Sequence, residues 1–73
     1  MVVLYQNQVF VFELKMADSH RLEETAEAAI EQIRDRGYVD KYRHLDVPIH
    51  LIGIAFNREG TSGKSLILEA VSA

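Results

Sequence analysis

The run Val9-Phe-Val-Phe-Glu-Leu-Lys15 is apolar at both parities up to its last charged positions, and this limits the fold more than any other stretch of the chain. Side chains along an extended strand alternate between the two faces of a sheet. Phe10, Phe12 and Leu14 therefore share one face, and Val9 and Val11 share the other. A strand covered on both faces has this pattern, so the segment is expected at the centre of a sheet. Glu13 and Lys15 continue the Val9/Val11 face where the apolar cover gives out. A carboxylate and an ammonium thus emerge side by side where a buried strand meets solvent.

The remaining segments supply neighbours for that strand. Val2 to Gln6 and Val9 to Met16 are β-rich runs around Asn7-Gln8, and asparagine tolerates the left-handed backbone of a tight turn, so a β-hairpin is expected. Asp18 or Ser19 can cap a helix that runs to Arg36, with Thr25 as an alternative start and Gly37 as the stop. Leu22, Ala26, Ala29, Ile30 and Ile33 recur at helical spacing and form its buried stripe. Glu24, Glu27, Glu31 and Asp35 form the opposite edge, which reads as a solvated face because carboxylates on one helix pointing at water do not converge. Tyr38 to Leu45 reads as a short helical segment ended by Asp46 and Pro48. Ile49 to Phe56 is again apolar at both parities and is expected parallel to the Glu13 strand, reached through a right-handed helical crossover. Gly53 in its middle permits a close approach of another backbone. Asn57 to Lys64 is a polar loop, and Ser65 to Val71 is a final edge strand. The fold class is a small mixed α/β (α+β) sheet with a hairpin, a helical crossover, a parallel strand and a last edge strand.

Composition excludes several functions. Seventy-three residues make one small domain with a marginal core. There is no cysteine, so neither disulfides nor a zinc-thiolate site is available. His20, His44 and His50 lack the i, i+4 spacing of a helical metal site. The apolar stretch Val47 to Phe56 is far shorter than the roughly 20 residues of a membrane span. No basic segment precedes an apolar one at the N-terminus, so a signal peptide is not expected and a cytoplasmic location is. The net charge of −3 does not favour strong binding to phosphates, although a metal-dependent site is itself acidic. Gly60-Thr-Ser-Gly63-Lys64-Ser65 invites comparison with a phosphate-binding loop, but Arg58 stands where the first glycine of that motif is required.

An isolated Glu-x-Lys reads most simply as an ion pair at the end of a sheet. Its order among the other elements adds a second reading. The strand Val9 to Lys15, the helical Ala26 to Ile33, Gly37-Tyr-Val-Asp-Lys-Tyr42 and the strand Val47 to Phe56 together resemble the PD-(D/E)xK nuclease superfamily. More narrowly, the chain is similar to the nuclease domain at the C-terminus of bacterial proteins with an AAA-ATPase-like domain upstream. The resemblance runs from about Val2 to Phe56 and more loosely to Ala70. It implies a partial restriction-endonuclease-like core that, in complete form, hydrolyses DNA phosphodiesters with Mg²⁺. It assigns Glu13, with the backbone carbonyl of Leu14, to the metal, Lys15 to catalysis, and Gln32 to a position on the helix facing the site. Tyr38 and Tyr42 match aromatic positions where DNA contact or packing is possible.

One family element has no counterpart. The first acidic residue of the motif belongs to the strand before the Glu-x-Lys strand, where Val2, Val3 and Leu4 offer no carboxylate. The chain therefore reads as a domain lacking the N-terminal part of a nuclease core, either a fragment or a degenerate copy, with weak or absent activity. The alternative function is a non-catalytic interaction module, since an incomplete sheet leaves an edge able to pair with another copy and form a homodimer.

Overall fold

The computed structural model describes residues 1–17, 21–57 and 66–73. Their order is strand β1 (Val2–Tyr5), strand β2 (Gln8–Met16), helix α1 (Leu22–Asp35), helix α2 (Tyr38–Tyr42), a 3₁₀ turn (Arg43–Leu45), strand β3 (Ile49–Phe56) and strand β4 (Leu66–Ser72). The strands form one mixed sheet in the order β1-β2-β3-β4, with β1 antiparallel to β2, β2 parallel to β3, and β3 antiparallel to β4. This is the expected small α/β core with its helical crossover, and it is consistent with a restriction-endonuclease-like core.

The hairpin turns on Gln6 and Asn7, one position earlier than Asn7-Gln8, because both residues take a positive φ of 50° and 61°. A two-residue turn that matches the twist of its strands needs a positive φ at both central positions. Helix α1 begins at Leu22 with Arg21 before it and no side-chain cap. The caps expected at Asp18 or Ser19 lie outside the described residues, and Thr25 is already inside the helix. Gly37, with φ of 74°, ends the helix in the left-handed conformation and leads directly into α2. Asp46, at φ of 55°, ends the 3₁₀ turn.

Helix α1 covers one face of the sheet. Its stripe of Ala26, Ala29, Ile30 and Ile33 is buried, and Leu22 is half-buried beside it. The main core joins Ile30 and Ile33 to Val9, Val11, Ile49 and Leu51. Full burial of Ile33, Leu51, Val9 and Val11 stabilises the fold by about 1.5–3 kcal/mol for each side chain. Glu24, Glu27, Glu31 and Asp35 are all exposed, as a solvated face requires.

The second face of the sheet departs from expectation. Strand β2 is central, but among the described residues nothing lies over the side that carries Phe10, Phe12, Leu14 and Met16. Leu14 is 57% and Met16 51% exposed. Apolar residues at both parities showed where β2 sits in the sheet, not that both of its faces are covered.

Candidate active site

Glu13 and Lys15 stand on the face of β2 that α1 covers, two positions beyond the fully buried Val11. Their side chains thus share a side, as alternation along the strand requires. In the parallel ladder with β3, Glu13 is paired with Gly53 and Lys15 with Ala55. A Cβ built at Gly53 would collide with the Ala26 carbonyl oxygen and meet Ile30 Cγ1 at 3.0 Å. The missing side chain lets α1 settle directly on β3, and so sets how closely the helix approaches the strand beside Glu13.

The Glu13 carboxylate is held by the helix that closes over it. Arg36 Nη1 donates to both oxygens, at 3.0 Å to Oε1 and 2.9 Å to Oε2. The Glu13 side chain is 17% exposed, whereas Arg36 is 53% exposed. Lys15 is half-buried and makes no ion pair among the described residues, so the acid of the Glu-x-Lys pair is matched from the helix and not by its own lysine. Arg36 carried no mark in the sequence as a site residue. The one available signal was its spacing, four positions after Gln32, which puts both residues on the same side of α1. Gln32 is half-buried there, and no hydrogen bond joins its side chain to Glu13 or Lys15.

On its other side β2 is paired for only part of its length. The antiparallel ladder with β1 runs from Tyr5↔Gln8 to Val2↔Val11. It continues to Met1, whose amine donates to the Phe12 carbonyl at 3.0 Å while the Phe12 N–H donates back to Met1 at 2.8 Å. Glu13 to Met16 have a neighbour on β3 and none on β1.

Tyr38 and Tyr42, the two aromatic candidates, are half-buried and pack with Val39 and Val47 against the main core. Lys41 Nζ lies 5.7 Å from the centre of the Tyr42 ring. His44 is exposed, and His50 stacks on Phe10 at 4.9 Å with Nε2 2.7 Å from Gln8 Oε1. The Gly60 to Ser65 segment considered as a phosphate loop lies outside the described residues.

Comparison with known proteins gives these residues a context. A model of the PD-(D/E)XK nuclease superfamily matches residues 1–65. The chain belongs to this superfamily. A relative described as an uncharacterized protein in the vnfD 5′ region of Azotobacter chroococcum mcd 1 is 37% identical over 71 residues. That alignment covers 97% of this chain and 13% of the relative, so the chain spans a small part of the length of the protein it matches. No solved structure matches the chain.

PD-(D/E)XK nucleases typically use divalent metals, and the residues described here do not complete such a site. A hard divalent cation takes about six or more oxygen ligands, of which one or two carboxylates anchor it and waters or phosphates supply the rest. No group of three His, Cys, Asp or Glu side chains is gathered among the described residues. Glu13 is the acid at this position on β2, and its two oxygens are engaged by Arg36. Among the described residues no helix is long and apolar enough to cross a membrane.

Proposed function

We propose that this chain carries the Glu-x-Lys half of a DNA-hydrolysing nuclease site and does not cleave DNA alone. One observation carries the reading: Glu13 and Lys15 share the helix-covered face of β2, just beyond the fully buried Val11. In a complete domain, the strand alongside Glu13 is where a second carboxylate would stand. With it, Glu13 and the Leu14 carbonyl would serve a divalent cation, Mg²⁺ in this reading. Lys15 would supply positive charge at the attacking water or the scissile phosphate, and Gln32 would line the site from α1. Without that carboxylate the cation lacks a ligand, and Arg36 neutralises Glu13.

The wider setting belongs to the same proposal. The share of the relative that the alignment covers supports a domain within a longer bacterial protein; the AAA-ATPase-like domain upstream and the cytoplasmic location enter this reading from the family resemblance and the sequence alone. The test is incubation of the purified chain with supercoiled and linear DNA in Mg²⁺ or Mn²⁺, alongside Glu13→Ala and Lys15→Ala. No cleavage above the protein-free control is expected. Robust Mg²⁺-dependent cleavage, lost in both variants, would refute the inactive state and establish the site.

A further inference from the structure

We propose that Arg36 is an internal competitor for a divalent cation, holding Glu13 in the mode a metal ion would use. The inference rests on the reading of Glu13 as the acid of the site. A carboxylate that binds a cation with both oxygens places it in the fork between them. Arg36 Nη1 stands in that fork, 3.0 Å from Oε1 and 2.9 Å from Oε2. The two occupants therefore exclude one another.

Charge and burial favour the arginine. The Glu13 side chain is only 17% exposed, so little of the carboxylate is left for a second partner. A cation approaching either oxygen from its outer side would lie close to a guanidinium of like charge, and that repulsion grows where solvent is partly excluded. Lys15, two positions along the same face of β2, makes no ion pair among the described residues. The candidate site's own side chains thus set two positive groups against one carboxylate.

Release of Arg36 needs no change in the fold. Its backbone N–H donates to the Gln32 carbonyl at 3.0 Å, which keeps the end of α1 wound whether or not the side chain is engaged. With half of its surface already in water, the freed guanidinium turns outward and leaves no buried charge behind. Ion pairs of this exposure are weak, so the competition changes cation affinity by a few-fold and not by orders of magnitude.

Mn²⁺ alone is the probe, added to the full chain and read by paramagnetic broadening of the backbone amide signals of Leu14 and Gly53. Leu14 follows Glu13 on β2, and Gly53 is paired with it on β3. The variants are Arg36→Gln, Arg36→Met, Arg34→Gln, and Glu13→Gln combined with Arg36→Gln, with circular dichroism confirming native secondary structure. Arg34 bonds to Glu31 at 2.6 Å and stands about 200° around the helix from Arg36, so its loss removes the same charge without freeing Glu13. Both Arg36 variants should reach half-broadening at a Mn²⁺ concentration lower than the wild type's by at least about threefold. Arg34→Gln should match the wild type, and the double variant should show no broadening at these amides. Equal midpoints in the wild type and the Arg36 variants, with binding dependent on Glu13, would overturn the competition and leave the site reading standing. An equal gain in Arg34→Gln would assign the effect to net charge and overturn it too. Absence of broadening in every chain at millimolar Mn²⁺ would mean that something other than Arg36 keeps the cation away, which also overturns the inference. Broadening that survives Glu13→Gln would remove the inference together with the reading beneath it.

Discussion

Arg36, the residue that caps the C-terminal end of α1, holds both carboxylate oxygens of Glu13 through a single guanidinium nitrogen. The contact ties the end of the helix to the strand it covers. It also means that the acid assigned to a metal by family resemblance is already neutralised from within the chain.

Because Arg36 is about half exposed, solvent screens the pair and its net contribution is small. A double-mutant cycle with Arg36→Gln and Glu13→Gln, read by urea denaturation, should give a coupling of about 0.5–1 kcal/mol. The coupling should fall as salt is raised, since exposed pairs are screened within a Debye length. A coupling near zero at low salt would show that the two side chains do not hold one another in solution.

Gly53 offers a sharper test of how α1 is seated. An added methyl group would strike the Ala26 carbonyl, which is backbone and cannot swing aside. Gly53→Ala should therefore destabilise the domain by about 1–3 kcal/mol despite the better strand propensity of alanine. A thermal midpoint equal to that of the wild type would mean that α1 sits farther from β3.

Much of this arrangement is legible in the sequence. Apolar runs at both parities placed β2 and β3, helical spacing placed the buried face of α1, and Gly37 and Gly53 marked a left-handed stop and a close approach. Local pattern could not show Arg36, because its partner is 23 residues away and is reached only through the length of its side chain. Nor could it show that nothing among the described residues lies over the Phe10/Phe12 face. Apolar residues at both parities record what a strand is suited to bury, and the element that would cover it leaves no mark in the strand itself. Gln32 lies between these cases: its half-buried position at the border of the stripe was readable, while its role depends on groups that it does not touch here.

The hairpin turn stores a small amount of strain. Gln6 and Asn7 both adopt positive φ, a region that costs an ordinary L-residue roughly 1–2 kcal/mol and that asparagine and glycine tolerate better. The combined replacement Gln6→Asn and Asn7→Gly should stabilise the protein by about 0.5–1 kcal/mol. For a domain of this size that raises the melting temperature by about 2–8 °C, measurable by calorimetry. An unchanged or lowered value would argue against a two-residue turn at these positions.

Tyr38 and Tyr42 carry two candidate roles that stability can separate. Both rings pack against the core formed by Val9, Ile33 and Ile49, and neither hydroxyl makes a hydrogen bond among the described residues. If packing is their task, Tyr42→Phe should leave stability within about 0.5 kcal/mol of the wild type, the usual range for a change that breaks no identifiable interaction. Tyr42→Ala should cost about 2 kcal/mol, below the 3–5 kcal/mol of a fully buried aromatic because the ring is only half-buried. Urea denaturation of the two variants gives both numbers. A Tyr42→Ala chain as stable as the wild type would remove the packing role and leave the ring available for a ligand such as DNA.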